Sequence, residues 1–523
     1  MKKGFRIWDL GFGIKGILVF TLSLNPISYI LYPSCLRAGS FLFHPFEDDL
    51  DRGRWSSVEK KAKNDLQLQA LILMYRGRYQ EALVSALPAS DLAGYLKGLL
   101  DFQKDFNEEI ILDSFILRLG SRDLVLESGL RRALAGCRQG VDRWLGSIRE
   151  ESPPVVEVYR NRKDFGWAST LGEERLKTSG VIGIAKFHRL MVITPEALAF
   201  GYSWQDTLCH EYIHHALKVK AGLAFPLWFQ EGMARAYETI WRQGALEIPP
   251  GDKEELLLAA QENRLVEFKR MEPSLVYLKD EAEISLAFTQ VALAMEQLKL
   301  KIPALVKAVG NGQIFNKAFE KVYKQKLEDF EKKLRDSWKR EAGHGKVSKK
   351  SGALRTFLAL ETSEADAEKI FLGPKTQNLI SLGDQLRVGG NHAAALNLYR
   401  QAQEQEPLNP YVLSRITRSQ NALGKREEAL KTAQELIRAN PRWPPGYELL
   451  GELYESQGLY KEAIKAYAVY FDFNPYHKAL YKRTAFLHID LGESRLALPY
   501  LKQALILDPQ DDEAAQAIKA LER

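Results

Sequence analysis

The spacing of hydrophobic residues changes along the chain. Residues 41–150 carry many leucines at helical spacing and few strand-like runs, which predicts a helical N-terminal region. Three runs rich in β-branched residues then predict strands, at 155–159, 180–185 and 189–194. Helical spacing returns from about residue 203 to 340. The pattern therefore predicts strands followed by helices in the middle of the chain.

The C-terminal part of the chain repeats with a period of 34 residues. Three residue types keep this period over four units: Pro407, Pro441, Pro475 and Pro509; Gly390, Gly424, Gly458 and Gly492; Ala395, Ala429, Ala463 and Ala497. Glycine allows a tight turn between two helices, and alanine allows those helices to pack closely. Proline begins the next unit after the second helix has ended. Each unit is therefore predicted to be a helical hairpin.

A 34-residue period is the signature of the tetratricopeptide repeat, which stacks into an all-α solenoid. We predict four repeats from about 376 to 509 and a capping helix in the closing DDEAAQAIKALER, within a domain that spans 376–523. Residues 341–375 predict a polar, basic linker followed by a short bridging helix. Gly77 and Ala82 have the same five-residue offset as the glycine and alanine of the repeats, which suggests a degenerate repeat-like hairpin.

Residues 1–40 predict a signal anchor or a signal peptide. Four basic residues among the first fifteen precede the uncharged run GILVFTLSLNPISYILYPSCL, which is just long enough to cross a bilayer as a helix. The basic flank would stay in the cytoplasm and send the rest of the chain across. Four alternatives stay open: an uncleaved anchor, cleavage near Ala38, lipidation at Cys35, and a buried core helix.

Composition and charge give no indication of a nucleic-acid partner, and the cysteines give none of a zinc ribbon or a disulfide framework. The 523 residues are too many for one compact core, and a net charge of +6 remains from 73 basic and 67 acidic side chains. Such a near balance gives no case for nucleic-acid binding. The cysteines, Cys35, Cys137 and Cys209, form no CxxC pair, so we expect neither a zinc ribbon nor a disulfide framework. Cys209 is expected to be a small buried hydrophobe.

Candidate chemistry is concentrated in TLCHEYIHHA at 207–216, which holds three of the nine histidines. His210 and His214 are four residues apart, so both imidazoles project from one helix face and can bind one ion. Zinc favours imidazole and carboxylate ligands, with three protein ligands and one open position in catalytic sites. Glu211 lies beside the first histidine, where its carboxylate can take a proton from metal-activated water. The alternative is an amphipathic helix with a few surface histidines.

The flanking residues predict where a third ligand would come from. Residues 203–206 look like a capping box and Gly222 like a C-cap, so the motif would lie inside a helix. PLWFQEGMARAYE at 226–238 predicts a second helix packed against it. Glu231 follows His214 by seventeen residues, and a carboxylate is costly to bury among apolar neighbours unless it is paired or binds metal. The alternative is a surface glutamate on an amphipathic helix.

HEYIHHAL followed by PLWFQEGMA resembles the gluzincin metallopeptidases, and most of all the peptidase MA-like domains. The likeness extends over 151–340, through VEVYRNRKDFG, LAFTQVALAMEQL and AFEKVYKQKLEDFEKKLRDSW. The resemblance implies an α+β zincin-like metallopeptidase domain that hydrolyses peptide bonds, with Glu211 as general base and acid. It implies that His210, His214 and Glu231 bind Zn²⁺. It also implies that a strand near the site, such as GVIGIA, could hold substrate backbone.

One position departs from the family pattern. Where relatives often have Tyr in a LAYAQS-type helix, this chain has Phe288, so that position offers no hydroxyl. If the tyrosine stabilises the oxyanion in relatives, another donor must do so here. Tyr237, Tyr277 and His215 are the candidates. Metal binding is unaffected by this difference.

The leading hypothesis is a zinc-dependent metallopeptidase tethered to the cell membrane, with an extracytoplasmic catalytic domain and repeats that recruit substrate or partner. Its partners would be a protein or peptide substrate, a protein bound by the repeats, and the membrane. Cleavage of the N-terminus would make it secreted or periplasmic instead. Two alternatives stay open: a repeat scaffold with a structural or weakly active zinc domain, and a cytoplasmic peptidase with a buried N-terminal helix.

Overall fold

The structure is a computed structural model. It describes residues 46–522 except 172–180, 223, 243, 245–247, 249, 273–274, 276–277, 280, 345–367 and 369–371. We call residues 46–344 the sheet region and residues 372–522 the repeat array. The α-helices of the sheet region are Glu47–Asp51, Trp55–Lys61, Leu66–Tyr75, Tyr79–Ser85, Asp91–Phe102, Glu127–Leu145, Arg162–Ser169, Trp204–Ala221, Leu227–Tyr237, Pro250–Gln261, Glu281–Leu298, Ile302–Gly310, Phe315–Tyr323 and Leu327–His344.

Five strands form one mixed sheet in the order β1-β2-β3-β5-β4. The strands are β1 (Glu108–Ile111), β2 (Ile116–Leu119), β3 (Val155–Tyr159), β4 (Gly183–Lys186) and β5 (Arg189–Ile193). Strands β2, β3 and β5 run parallel, whereas β1–β2 and β4–β5 are antiparallel pairs. All three predicted strands are confirmed, although β4 begins three residues later than expected.

Two strands were not anticipated. β1 and β2 lie within 41–150, a region that is mostly helical as predicted, yet β2 pairs with β3 in parallel. Each has four residues, and β1 alternates between half-buried and exposed positions. Strands this short, set among long helical patterns, give too few periods of alternation to be recognised from spacing. The N-terminal region therefore shares a sheet with the later strands.

Buried polar contacts tie the N-terminal helices to this sheet. Glu157 on β3 and Arg189 on β5 form an ion pair of 3.1 Å, and both side chains are fully buried. The Tyr79 hydroxyl donates to Glu157 at 2.7 Å, and Arg189 donates to the Tyr95 hydroxyl at 2.7 Å. Because these buried polar groups find their partners on other segments, the sheet and the first helices form one core.

The repeat array consists of four helical hairpins and a capping helix, as predicted. The hairpins are Pro374–Val388 with His392–Gln405, Pro410–Ala422 with Arg426–Ala439, Pro444–Ser456 with Tyr460–Phe471, and Lys478–Asp490 with Ser494–Leu507; the cap is Asp512–Leu521. The four periodic glycines lie between the paired helices with φ of 73° to 81°. The four periodic alanines are fully buried. The same turn recurs at Gly77, with φ of 72°, between Leu66–Tyr75 and Tyr79–Ser85.

The array packs directly on the sheet region. The Tyr476 hydroxyl lies 2.6 Å from the Thr194 hydroxyl and also donates to Asp123. The backbone N–H of Tyr202 donates to the carbonyl of Phe473 at 3.1 Å. Buried residues of the last repeat, including Leu501 and Leu507, belong to the same hydrophobic cluster as the core of the sheet region. The contacts place the end of the array beside the segment that leads into helix Trp204–Ala221.

Among the described residues, no helix is both long enough and apolar enough to span a bilayer. The predicted signal segment at 1–40 and most of the predicted linker at 341–375 lie outside the described residues.

Candidate metal centre

Helix Trp204–Ala221, which we call the histidine helix, carries the HEYIH motif. Its bounds match the prediction: Ser203 is the N-cap and Gly222, at φ of 63°, is the C-cap. The Ser203 side chain makes no capping hydrogen bond, so the capping-box part of the prediction is wrong. The histidine helix packs against β4 and β5 on one side and Leu227–Tyr237 on another. It is therefore a central element with little exposed surface.

Helix Leu227–Tyr237, which we call the glutamate helix, carries Glu231. Gly232 allows this helix to approach Glu281–Leu298 closely, since a Cβ at that position would lie 2.9 Å from the Val291 carbonyl oxygen and from Met295 Cε. Trp228 stacks on Phe268 with ring centroids 4.1 Å apart, which fixes the start of the helix. The glycine after the glutamate thus has a packing role that places Glu231 beside the histidine helix.

The structure brings His210, His214 and Glu231 together. The Nε2 atoms of the two histidines lie 3.6 and 3.5 Å from Glu231 Oε2. Tetrahedral zinc bonds of about 2.0–2.1 Å would separate two ligand atoms by roughly 3.4 Å. His210 Nε2 and both Glu231 oxygens are buried and make no hydrogen bond among the described residues. These distances and orphaned atoms fit a zinc ion held by the three side chains.

Glu211 lies beside this group, against strand β4. A Cβ at Gly183 would lie 2.9 Å from Glu211 Oε1, so the absence of a side chain there makes room for the carboxylate. Glu211 is fully buried. Its neighbours place an acidic group between the edge strand β4 and the histidine ligands, where a general base would act.

Glu238 contacts a candidate metal ligand and was not predicted from the sequence. Its Oε2 lies 3.2 Å from His210 Nδ1, and Arg235 pairs with its other oxygen. A carboxylate on the second ring nitrogen fixes the orientation of a metal-binding histidine and raises its basicity. Glu238 follows Glu231 by seven residues, the spacing of one helix face, and this spacing was the available signal.

The electrostatics of the centre favour a cation. Burial alone would lower the pKa of His210, but Glu231, Glu238 and Glu211 together raise it to about 9. Burial likewise opposes ionisation of Glu231, yet His214 and His210 hold the pKa of that carboxyl below its usual value. Burial lowers the pKa of His214. The charged form of Glu231 is therefore maintained in a site from which water is largely excluded.

The two candidate oxyanion donors that the structure describes, Tyr237 and His215, have partners outside the group of three ligands. The Tyr237 ring packs against Trp144 in a tilted arrangement with centroids 3.8 Å apart, and His215 Nε2 lies 2.6 Å from Glu150 Oε1. Tyr277 lies outside the described residues, and Phe288 is buried in the core. The Tyr202 hydroxyl, which was not among the predicted donors, lies near Glu211. Burial raises the pKa of Tyr202, and the charge of Glu211 raises it further. This hydroxyl donates to the Ile193 carbonyl.

A disulfide links Cys209, next to His210, to Cys137 on helix Glu127–Leu145, with a Cα–Cα distance of 5.7 Å. Cys209 is buried, as predicted, but it is not the free cysteine that was expected. Two cysteines separated by 72 residues carry no spacing signal, so their proximity could not be inferred from the sequence. The disulfide and full burial of His214, Glu211 and Glu231 make the centre a closed one.

Comparisons with known proteins concern the repeats. Two models of the tetratricopeptide repeat match residues 389–453 and 444–475. The TPR repeat-containing protein YpiA of Bacillus subtilis (strain 168) is 26% identical over 140 residues, which is 27% of this chain and 33% of that protein. The small glutamine-rich tetratricopeptide repeat-containing protein 2 of Mycosarcoma maydis is 26% identical over 111 residues, which is 21% of this chain and 32% of that protein. The chain thus spans about one third of the length of these relatives.

Solved structures are also similar to part of the chain. The MamA protein is 19% identical with a TM-score of 0.26, over 29% of this chain and 82% of that one. A thermophilic TPR protein of Thermus thermophilus is 30% identical with a TM-score of 0.24, over 28% of this chain and 80% of that one. The family models confirm tetratricopeptide repeats over residues 389–475 of the array, which indicates protein partners.

Proposed function

We propose that this protein is a zinc metallopeptidase whose sheet region is a zincin-like α+β domain and whose repeats recruit the substrate or a partner. The observation that supports this most is the convergence of His210, His214 and Glu231, from two packed helices, on distances that suit one zinc ion. Glu211 beside them supplies the acid–base group that hydrolysis of a peptide bond requires.

We assign metal binding, proton transfer and ligand orientation to different residues. His210, His214 and Glu231 would hold a zinc ion, which when bound supplies a Lewis acid for water and for the scissile carbonyl. Glu211 accepts the proton of the attacking water and passes it to the leaving amine, so one carboxylate is base and then acid. Glu238 keeps His210 in the orientation that presents Nε2 to the metal.

Strand β4 is the proposed site for the substrate backbone. It lies at one edge of the sheet, and its first residue, Gly183, is in contact with Glu211. A peptide that added to this edge as a further strand would pass beside the general base. Because the ligands are at most 2% exposed, the substrate would reach them only after the covering structure opens.

Localisation outside the cytoplasm, with the 1–40 segment as membrane anchor or signal, is part of the same proposal. The basic flank and apolar run support it. The Cys137–Cys209 disulfide supports it independently, since such bonds persist in oxidising compartments.

A scaffold with a structural or weakly active zinc domain is the second candidate. The family matches, all to tetratricopeptide repeats, favour it, and so does the closed centre. In this case the array binds a partner, and the zinc ion only stabilises the sheet region.

One experiment distinguishes the two. The full chain and its Glu211→Gln variant are loaded with zinc, their metal content is measured, and each is tested for cleavage of an unfolded protein. A peptidase would retain zinc in both and lose about 10²–10⁴-fold in rate in the variant. Equal rates in the two would refute the proposed role of Glu211. Zinc in both with cleavage in neither would favour the scaffold.

A further inference from the structure

A second cluster of potential metal ligands shares no residue with the candidate metal centre. Glu150, His188 and His215 each offer one ligand atom, and the three atoms lie within 4.8 Å of one another. They come from three segments: the stretch after helix Glu127–Leu145, the turn between β4 and β5, and the histidine helix. We propose that this cluster is a second metal site, which binds a divalent transition-metal ion such as zinc and cross-links these segments.

The donor atoms are close together and shielded from solvent. His215 Nε2 lies 2.6 Å from Glu150 Oε1, and the rings of His188 and His215 have centroids 4.8 Å apart. The side chains of His215 and Glu150 are 4% and 3% exposed, and His188 is 3% exposed. Two imidazole nitrogens and one carboxylate oxygen are a donor set that zinc accepts, while cobalt, nickel and copper suit it as well.

His188 has the environment of a metal-binding histidine. Its Nε2 lies 3.0 Å from the carbonyl oxygen of Ser152, which orients the ring. Its Nδ1 is buried and has no hydrogen-bond partner among the described residues. Histidine ligands commonly bind a backbone carbonyl through one ring nitrogen and the metal through the other.

The backbone at this histidine is unusual. Phe187 and His188 form the two-residue turn between β4 and β5, with φ of 57° and 58°. Such a turn requires positive φ at both positions and normally has Asn-Gly. Bulky residues in this conformation are uncommon, and strain of this kind is concentrated at ligand sites and other functional sites. A bond from a metal ion to the His188 ring would offset the strain.

The alternative is a plain hydrogen bond between His215 and Glu150. Arg138 lies 3.9 Å from the other oxygen of Glu150 and could balance its charge. That arrangement accounts for two of the three side chains. Within the described part of the chain it leaves the buried Nδ1 of His188 without a hydrogen-bond partner, and it gives no reason for a histidine at a position that favours glycine.

Metal content tests the proposal without reference to catalysis. The full chain is stripped with a chelator, dialysed against Zn²⁺, and analysed for metal per chain. We expect two ions in the wild type and one in Glu231→Gln, which weakens the first centre only. Adding Glu150→Gln or His188→Gln to Glu231→Gln should reduce the content to zero. The metal-dependent rise in melting temperature that Glu231→Gln retains should disappear in the same double variants.

Glu151→Gln is the matched control, because this neighbouring carboxylate binds Ser56 and is not part of the cluster. In the Glu231→Gln background it should keep the remaining ion. A single ion in the wild type that is lost in Glu231→Gln, or an ion that survives both His188→Gln and Glu150→Gln in that background, would overturn the proposal. Circular dichroism identifies any variant that does not fold. In that event a Glu231→Gln protein that is folded and binds no zinc decides against the second site.

Discussion

The sheet region and the repeat array bury different kinds of side chain. In the sheet region, buried charged residues include Glu157, Arg189, Glu211 and Glu231, all fully shielded from solvent. In the described part of the array, His488 and Asp511 are the buried members of the Asp, Glu, His, Lys and Arg classes. Its core is otherwise built from aliphatic, aromatic and neutral polar residues.

This difference bears on the proposed division of partner recognition and catalysis between the two regions. Burial of a charge is costly unless it is paired or binds a metal, so a region that keeps many buried charges needs them for a specific geometry. An array of near-identical hairpins gains stability by repetition of small apolar contacts and needs no such geometry. The contrast supports the placement of catalysis in the sheet region and of partner binding in the array.

The largest expected effect comes from breaking a buried charge pair in the sheet region. Glu157→Gln would leave Arg189 buried without its counter-charge, and loss of one partner of such a pair costs about 3–5 kcal/mol of unfolding free energy. The matched change in the array is Glu428→Gln, which removes a half-exposed pair with Lys425 at 3.2 Å. That change should cost less than about 1 kcal/mol. Urea unfolding of both variants measures the difference, and equal losses would remove the contrast between the regions.

A smaller difference is expected between two glycines with the same backbone conformation. Gly424→Ala should cost about 1–2 kcal/mol, because its φ of 74° strains an L-residue while a new Cβ meets no atom within 4 Å. Gly77→Ala carries the same strain, but its Cβ would lie 2.8 Å from Val155 Cγ2. Overpacking there should cost about 1–3 kcal/mol more. Thermal unfolding measures both, and a loss no greater at Gly77 would show that the hairpin is not held by β3.

These two glycines also show how far sequence reasoning reached. The five-residue offset predicted a helical hairpin at Gly77 as well as in the array, because the turn is a local property of the chain. The offset could not show that Val155 covers one of the two turns, since that contact depends on the fold. Strands β1 and β2 were missed for the same reason: pairing with a distant β3 stabilises them, not their own four-residue patterns.

The residues of the candidate site likewise fall into those that local sequence spacing could predict and those that it could not. His210 and His214 could be placed on one face because four residues make about one helical turn. Glu231 could be proposed because a second helix was predicted after a short loop. Cys137 and the cluster of Glu150 with His188 could not be found, because their partners on the histidine helix are distant in sequence.

At low pH the difference in unfolding free energy between the wild type and Glu157→Gln, which we call the gap, should become smaller. Burial alone would raise the pKa of Glu157, but Arg189 and Arg118 hold it below the usual value of 4.5. A carboxyl whose pKa is lower in the folded state than in the unfolded state stabilises the fold fully at pH values above its unfolded-state pKa. That stabilisation is lost as the pH falls through its folded-state pKa. The gap should therefore be constant from pH 7 to 5 and shrink below about 4.5. Urea unfolding at several pH values measures it, and a gap that widens in acid would contradict the assigned direction.

The smallest expected effect concerns the contact between the two regions. Tyr476→Phe removes the hydroxyl that binds Asp123 and lies beside Thr194, which should cost about 1 kcal/mol. Tyr467→Phe is the matched change inside the array, where the hydroxyl binds Glu455 at 3.0 Å. If docking couples the regions, Tyr476→Phe should lower the stability of both regions, whereas Tyr467→Phe should lower the stability of the array alone. Calorimetry with hydrogen exchange resolves the two regions. The same pattern in both variants would mean that the array and the metal centre are stabilised independently.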